Sequence, residues 1–96
     1  MAEIHFLVFG RVQHVGFRRF VARHAVSFGV SGFVRNRIDG SVEIYASSSL
    51  DLLNNFIQLC QKGPVFASVT EVTTLPVNEN VRRLVDDGVF KILPTE

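Results

Sequence analysis

The chain has 96 residues, a formal net charge of +1 and a single cysteine, Cys60. That length supports one hydrophobic core and not two, so residues 1–96 are expected to form a single domain, and one cysteine excludes an intramolecular disulfide. The near-neutral charge argues against nonspecific binding to nucleic acid or membrane, and without a secretion signal or a run of ~18–20 apolar residues the expected location is the cytoplasm.

Residues 4–9 (Ile-His-Phe-Leu-Val-Phe) are apolar on both faces and predict a central strand. A loop over 10–16 follows, and then Phe17, Phe20, Val21, Ala25 and Phe28 recur at helical spacing until Gly29 stops the helix. Val30 to Asn36 reads as a second strand and Ser41 to Ala46 as a third, with Val42, Ile44 and Ala46 on one face. Asp39-Gly40 between them is a hairpin signal, which makes the two strands antiparallel neighbours. Ser48 with Asp51 has the form of a capping box for a second helix, whose apolar stripe is Leu53, Phe56, Ile57 and Cys60 and whose end is Gly63-Pro64. Cys60 is therefore expected in the core and not as a reactive thiol. Residues 67–75 are β-rich, 76–88 are polar with room for one helical turn, and 89–93 form a short last strand. The order β-α-β-β-α-β suits a two-layer α/β domain.

The passage from first strand to first helix, Phe9-Gly10-Arg11-Val12-Gln13-His14-Val15-Gly16-Phe17-Arg18-Arg19, carries the strongest functional signal. The N-terminus of a helix holds roughly half a positive charge, so acidic residues are the usual choice in the first turn. Arg18 and Arg19 do the reverse, which makes electrostatic sense if a phosphate-like anion sits there; two solvated arginines on a helix flank would leave the same pattern. In a β-α-β unit the two strands run parallel, so the loop that opens at Gly10 and the strand end at Asn36 share one edge of the sheet. With the third strand between them these ends are about 9–10 Å apart, close enough for the loop, Arg18 and Asn36 to line one pocket. Asparagine is also common in turns for local reasons, and both readings of Asn36 stand at this point. His5, His14 and His24 are scattered; His5 and His24 read as packing residues, and no nucleophilic triad or metal-spaced cluster is present.

Gly10-Arg11-Val12-Gln13-His14-Val15-Gly16-Phe17-Arg18 resembles the first signature of the acylphosphatases, and Gly32-Phe33-Val34-Arg35-Asn36 followed by Asp39-Gly40-Ser41-Val42 resembles the second. The resemblance implies a ferredoxin-like fold, an antiparallel sheet with two helices on one face. It also implies hydrolysis of the carboxyl–phosphate bond of a small-molecule acyl phosphate to carboxylate and inorganic phosphate, with no metal or other cofactor. By the family pattern the loop Gly10, Arg11, Val12, Gln13, His14, Val15, Gly16 and Phe17 cradles the phosphate with Arg18, and Asn36 orients the attacking water. Arg11, Arg19 and Arg23 should matter much less. Inorganic phosphate is then product and inhibitor, and a monomer without a nucleic-acid or membrane partner is expected. The chain departs from the pattern at His14, where the family usually has glycine, and in Ala46-Ser47-Ser48, where a later glycine is replaced.

The chemistry suits so small a set of residues. The leaving group of an acyl phosphate is a carboxylate, stable without a proton, and phosphoryl transfer depends mainly on positioning and charge stabilisation. The alternative is a noncatalytic ferredoxin-like module that binds an anion or RNA, or serves a regulatory role. Phe6, Phe33, Tyr45 and Phe90, however, do not form an RNA-binding signature.

Overall fold

The computed structural model describes residues 1–96. Its elements in chain order are β1 (Ala2–Arg11), α1 (Phe17–Phe28), β2 (Ser31–Asn36), β3 (Val42–Ser48), α2 (Leu50–Lys62), β4 (Ser68–Leu75), α3 (Glu79–Arg82) and β5 (Phe90–Ile92). The strands form one sheet in the order β4-β1-β3-β2-β5. β1 lies antiparallel between β4 and β3, and β3 is antiparallel to β2, so β1 and β2 run in the same direction with β3 between them, as the β-α-β unit requires. The expectation of a purely antiparallel sheet meets one difference: β5 adds to the edge of β2 in parallel, with Val34 opposite Ile92.

The boundaries follow from local chemistry. β1 pairs side by side with two strands and buries Phe6 and Val8 beneath the helices, while His5 points to the other face. On α1, Phe17, Val21 and Ala25 are buried at successive i, i+4 positions, one stripe against the sheet. His24 is wedged between Phe20 and Phe28, with ring centroids 4.5 and 6.4 Å away, a packing role. Gly29 caps the helix and the N–H of Val30 donates to Ala25 O at 2.8 Å, so β2 begins at Ser31 and not at Val30. The cap of α2 is Ser49, whose hydroxyl accepts from the Leu52 N–H, and not Ser48; Ser48 still belongs to β3, buried and opposite Ala2. Cys60 is buried on α2, and that burial pushes its thiol pKa up, away from reactivity. No helix is long and apolar enough to cross a membrane.

The face away from α1 and α2 is not open. Residues 76–88 fold back across it, and Val77, Val81 and Val85 pack on Phe33 and Tyr45, which are 0% and 3% exposed. The segment is pinned by Arg82, which donates to the Glu3 carboxylate at 2.8 and 3.0 Å, and that carboxylate is itself held by the Tyr45 hydroxyl, which donates to it at 2.6 Å. The aromatic platform that a sheet-bound RNA would need is therefore covered.

Glu43, on that same face, is buried among three basic side chains: His5 Nε2 lies at 2.7 Å, Arg35 Nε at 2.8 Å and Arg37 Nη1 at 3.1 Å. Burial by itself would raise this carboxyl, but the hydrogen bonds from His5 and Arg35 outweigh it and hold the pKa at about 2 instead of 4.5. A depressed carboxylate stabilises the fold above its unfolded pKa. Stability should thus be lost as pH falls from about 4.5 toward 2, and a Glu43→Gln protein should lack that part of the acid limb in chemical denaturation. At neutral pH the substitution should cost ~1–3 kcal/mol, less than for a fully buried pair, because the half-buried Arg35 and Arg37 lose their counter-charge but keep some access to water.

Candidate active site

The register of β1 against β4 shifts between Phe9 and Gly10, a bulge that turns the chain out of the end of the sheet. Gly10 has φ 121°, and a Cβ there would collide with the backbone of Ser68, so no other residue fits. The loop then reaches α1 through Gly16, an N-cap in the left-handed region at φ 78°, with no side-chain hydrogen bond capping the helix and no acid in its first turn. As a result the backbone N–H groups of residues 14–19 donate to no protein acceptor. An uncapped helix start carries its partial positive charge undiminished.

His14 occupies the left-handed region too, at φ 64°, and is the one non-glycine residue with positive φ. Left-handed backbone costs an L residue about 1–2 kcal/mol, part of which histidine can recover through local hydrogen bonds. His14→Gly should therefore stabilise the fold, by under ~1 kcal/mol once the looser unfolded chain is counted, and should leave activity in place. Denaturant melts of the two proteins, each assayed with benzoyl phosphate, check both statements. A less stable, inactive glycine variant would show that the imidazole has a role of its own.

A cleft of about 420 Å³ opens above this loop. Val12, His14 and Gly16 line it from the loop, Phe17, Arg18 and Arg19 from α1, Asn36 from the end of β2, and Ile92 from β5. No carboxylate lines it. None of the six ion pairs involves Arg18, whose charge is left for a ligand. Asn36 is only 6% exposed, and its Oδ1 is buried without a protein partner. A buried acceptor left unpaired costs about 1–3 kcal/mol, so this atom needs a donor that the protein does not supply.

Arg18, Asn36, Val12, His14, Gly16 and Phe17 thus meet in one cavity, as the topology argument expects. The other four loop residues do not line it. Gly10 forms the bulge, Arg11 still pairs with Ser68, Val15 packs against the core, and Gln13 turns its amide to the β2–β3 turn. Arg19, expected to be peripheral, is part of the wall. Ile92 is the residue that sequence reasoning missed. Its only sequence signal is the short apolar run at 89–93, and nothing in that run announces a parallel pairing with β2.

The family model described as Acylphosphatase matches residues 4–91. An acylphosphatase of Nitrobacter winogradskyi is 43% identical over 90 residues, 93% of this chain and 91% of the relative. Among solved structures, the acylphosphatase from Bacillus subtilis superposes with a TM-score of 0.80 at 36% identity, covering 97% of this chain and 99% of that one. The same fold occurs within a larger protein, HypF of T. kodakarensis, at TM-score 0.78 and 30% identity, where 97% of this chain matches 12% of the other.

Proposed function

The chain belongs to the acylphosphatase family and hydrolyses acyl phosphates to carboxylate and inorganic phosphate, and we propose that Arg18, the free N–H groups of residues 14–19 and Asn36 carry out that reaction. The phosphoryl group sits at the start of α1, its oxygens taking hydrogen bonds from the backbone and a planar pair of donors from the Arg18 guanidinium. Asn36 Oδ1 accepts a hydrogen bond from a water molecule and holds it over the phosphorus. Attack by the water oxygen forms the new P–O bond while the bond to the acyl oxygen breaks, and the acyl oxygen departs with the electron pair as a carboxylate. Because carboxylic acids ionise near pH 4, that departure needs no general acid. The proton released by the water leaves on a phosphate oxygen or to solvent, and nothing in the sequence of steps calls for a metal.

The observation that carries this reading is the meeting of an unpaired arginine, an uncapped helix start and an unpartnered buried Asn36 Oδ1 in a cleft without carboxylates. The test is turnover of benzoyl phosphate by the purified protein, with inorganic phosphate as a competitive inhibitor. A folded protein that shows neither would overturn it. The corresponding proposal for its state is a cytoplasmic monomer that binds neither nucleic acid nor membrane, and sedimentation of the purified chain tests the monomer.

A further inference from the structure

Gln13 belongs to the loop between β1 and α1 but does not line the cleft. Its side chain crosses to the turn between β2 and β3, where Nε2 donates to Arg37 O at 2.8 Å and to Ser41 O at 2.9 Å. An amide nitrogen has two hydrogens, and these two carbonyls take both, so Nε2 has nothing left for a phosphate. The turn it grips is stiff. Arg37 N–H donates to Ser41 O at 2.9 Å and Gly40 N–H to Arg37 O at 3.1 Å, while the Asp39 carboxylate accepts from the N–H and hydroxyl of Ser41 at 2.9 and 2.6 Å. Asn36 immediately precedes this turn.

We infer that Gln13 is a positioning residue that sets the distance between the phosphate-holding loop and Asn36, and so acts on turnover through Asn36 and not on phosphate binding. The inference rests on the acylphosphatase reading above. The N–H groups of the cradle all follow Gln13 in the chain and are turned by the left-handed residues His14 and Gly16 and by the start of α1; the Gln13 side chain bonds to none of them, so its removal leaves the anion's donors in place. The path from phosphorus to the water on Asn36, by contrast, runs from the loop to a different strand. The loop has left the sheet by then, and the Gln13 amide is the side-chain bridge across that gap. Displacements of about 1 Å between reacting groups are enough to cost on the order of 100-fold in rate.

The experiment compares Gln13→Ala, Asn36→Ala and the double variant with benzoyl phosphate, and measures inhibition of each by inorganic phosphate. Gln13→Ala should lower kcat by about 10- to 100-fold while the phosphate inhibition constant stays within about twofold of wild type. Added to Asn36→Ala it should cause no further loss, since a residue that acts through another has nothing to lose once that other is gone. Gln13→Glu supplies the second readout. Its carboxylate cannot donate to the two carbonyls, but protonation restores one donor, so its kcat relative to wild type should recover as the pH is lowered. Independent losses in the double variant, or a phosphate inhibition constant that rises while kcat is unchanged, would overturn the inference. So would a flat Gln13→Glu to wild-type ratio across pH, a result that stands even if the alanine variant does not fold. A wild-type protein without turnover would instead sink the enzymatic reading itself, whereas an active wild type matched by Gln13→Ala removes the positioning role alone.

Discussion

Arg18→Ala is expected to abolish measurable turnover of benzoyl phosphate, a loss of about 10³-fold or more, in a protein that still folds. The magnitude follows from what the guanidinium does. As charge spreads over the equatorial oxygens of the phosphoryl group, a positioned arginine stabilises the transition state by factors of ~10³–10⁵ in related phosphoryl-transfer chemistry. Arg18 makes no ion pair and stands beside backbone donors at an uncapped helix start, so its removal leaves no intramolecular partner stranded and should cost little stability. Arg18→Lys should recover only a small part of the rate, because an ammonium ion is a point charge without the planar fork that two phosphate oxygens require. Arg11 and Arg23 are exposed, lie outside the cleft and are suitable controls; Arg19 is part of the wall and is not one. Circular dichroism alongside the assay separates loss of the site from loss of the fold. A folded Arg18→Ala protein with wild-type turnover would remove Arg18 from the mechanism.

Asn36→Ala is expected to lower kcat by about 100-fold or more and to leave inhibition by inorganic phosphate nearly unchanged. The two residues stand on different elements, Arg18 on the first turn of α1 and Asn36 at the end of β2, and the proposed mechanism gives them different partners, the anion and the nucleophile. A group that holds only the attacking water makes its contribution in the rate-determining chemistry and not in ground-state binding of phosphate. Because Oδ1 is already without a protein partner, truncation should be tolerated by the fold and its effect read directly as kinetics. Phosphate affinity that collapses while kcat holds would reverse the assignment and put Asn36 on the anion.

The places where sequence reasoning succeeded share a physical cause. Helical periodicity from Phe17 to Phe28, the hairpin at Asp39-Gly40 and the glycines at 10 and 16 are short-range signals, each readable within a few residues of itself. The alternation of Val42, Ile44 and Ala46 likewise marked the face of β3 that now lies beneath the helices. The misses are long-range. Ser48 and Ser49 are equally good caps by composition, and the choice fell to Ser49 because Ser48 is held in the ladder opposite Ala2. The segment 76–88 reads as a polar loop, yet Val77, Val81 and Val85 cover Phe33 and Tyr45 once Arg82 is drawn to Glu3. No local pattern pairs residues so far apart in the chain.

The same division applies to the site. The sequence by itself determined the chemical inventory: an arginine placed against the helix dipole, a glycine-bounded loop with no acid in the turn that follows, and an asparagine at the end of a strand parallel to the one feeding that loop. These are consequences of residue identity, chain order and the handedness of a β-α-β crossover. Only the tertiary structure decided which atoms face the cleft. It turned the Gln13 amide away to the carbonyls of Arg37 and Ser41, set Arg19 in the wall, brought Ile92 in on a parallel edge strand and left Asn36 Oδ1 buried and unpartnered. Side-chain direction and burial depend on what the rest of the chain stacks against a residue, and that information is distributed over the whole fold and absent from any one motif.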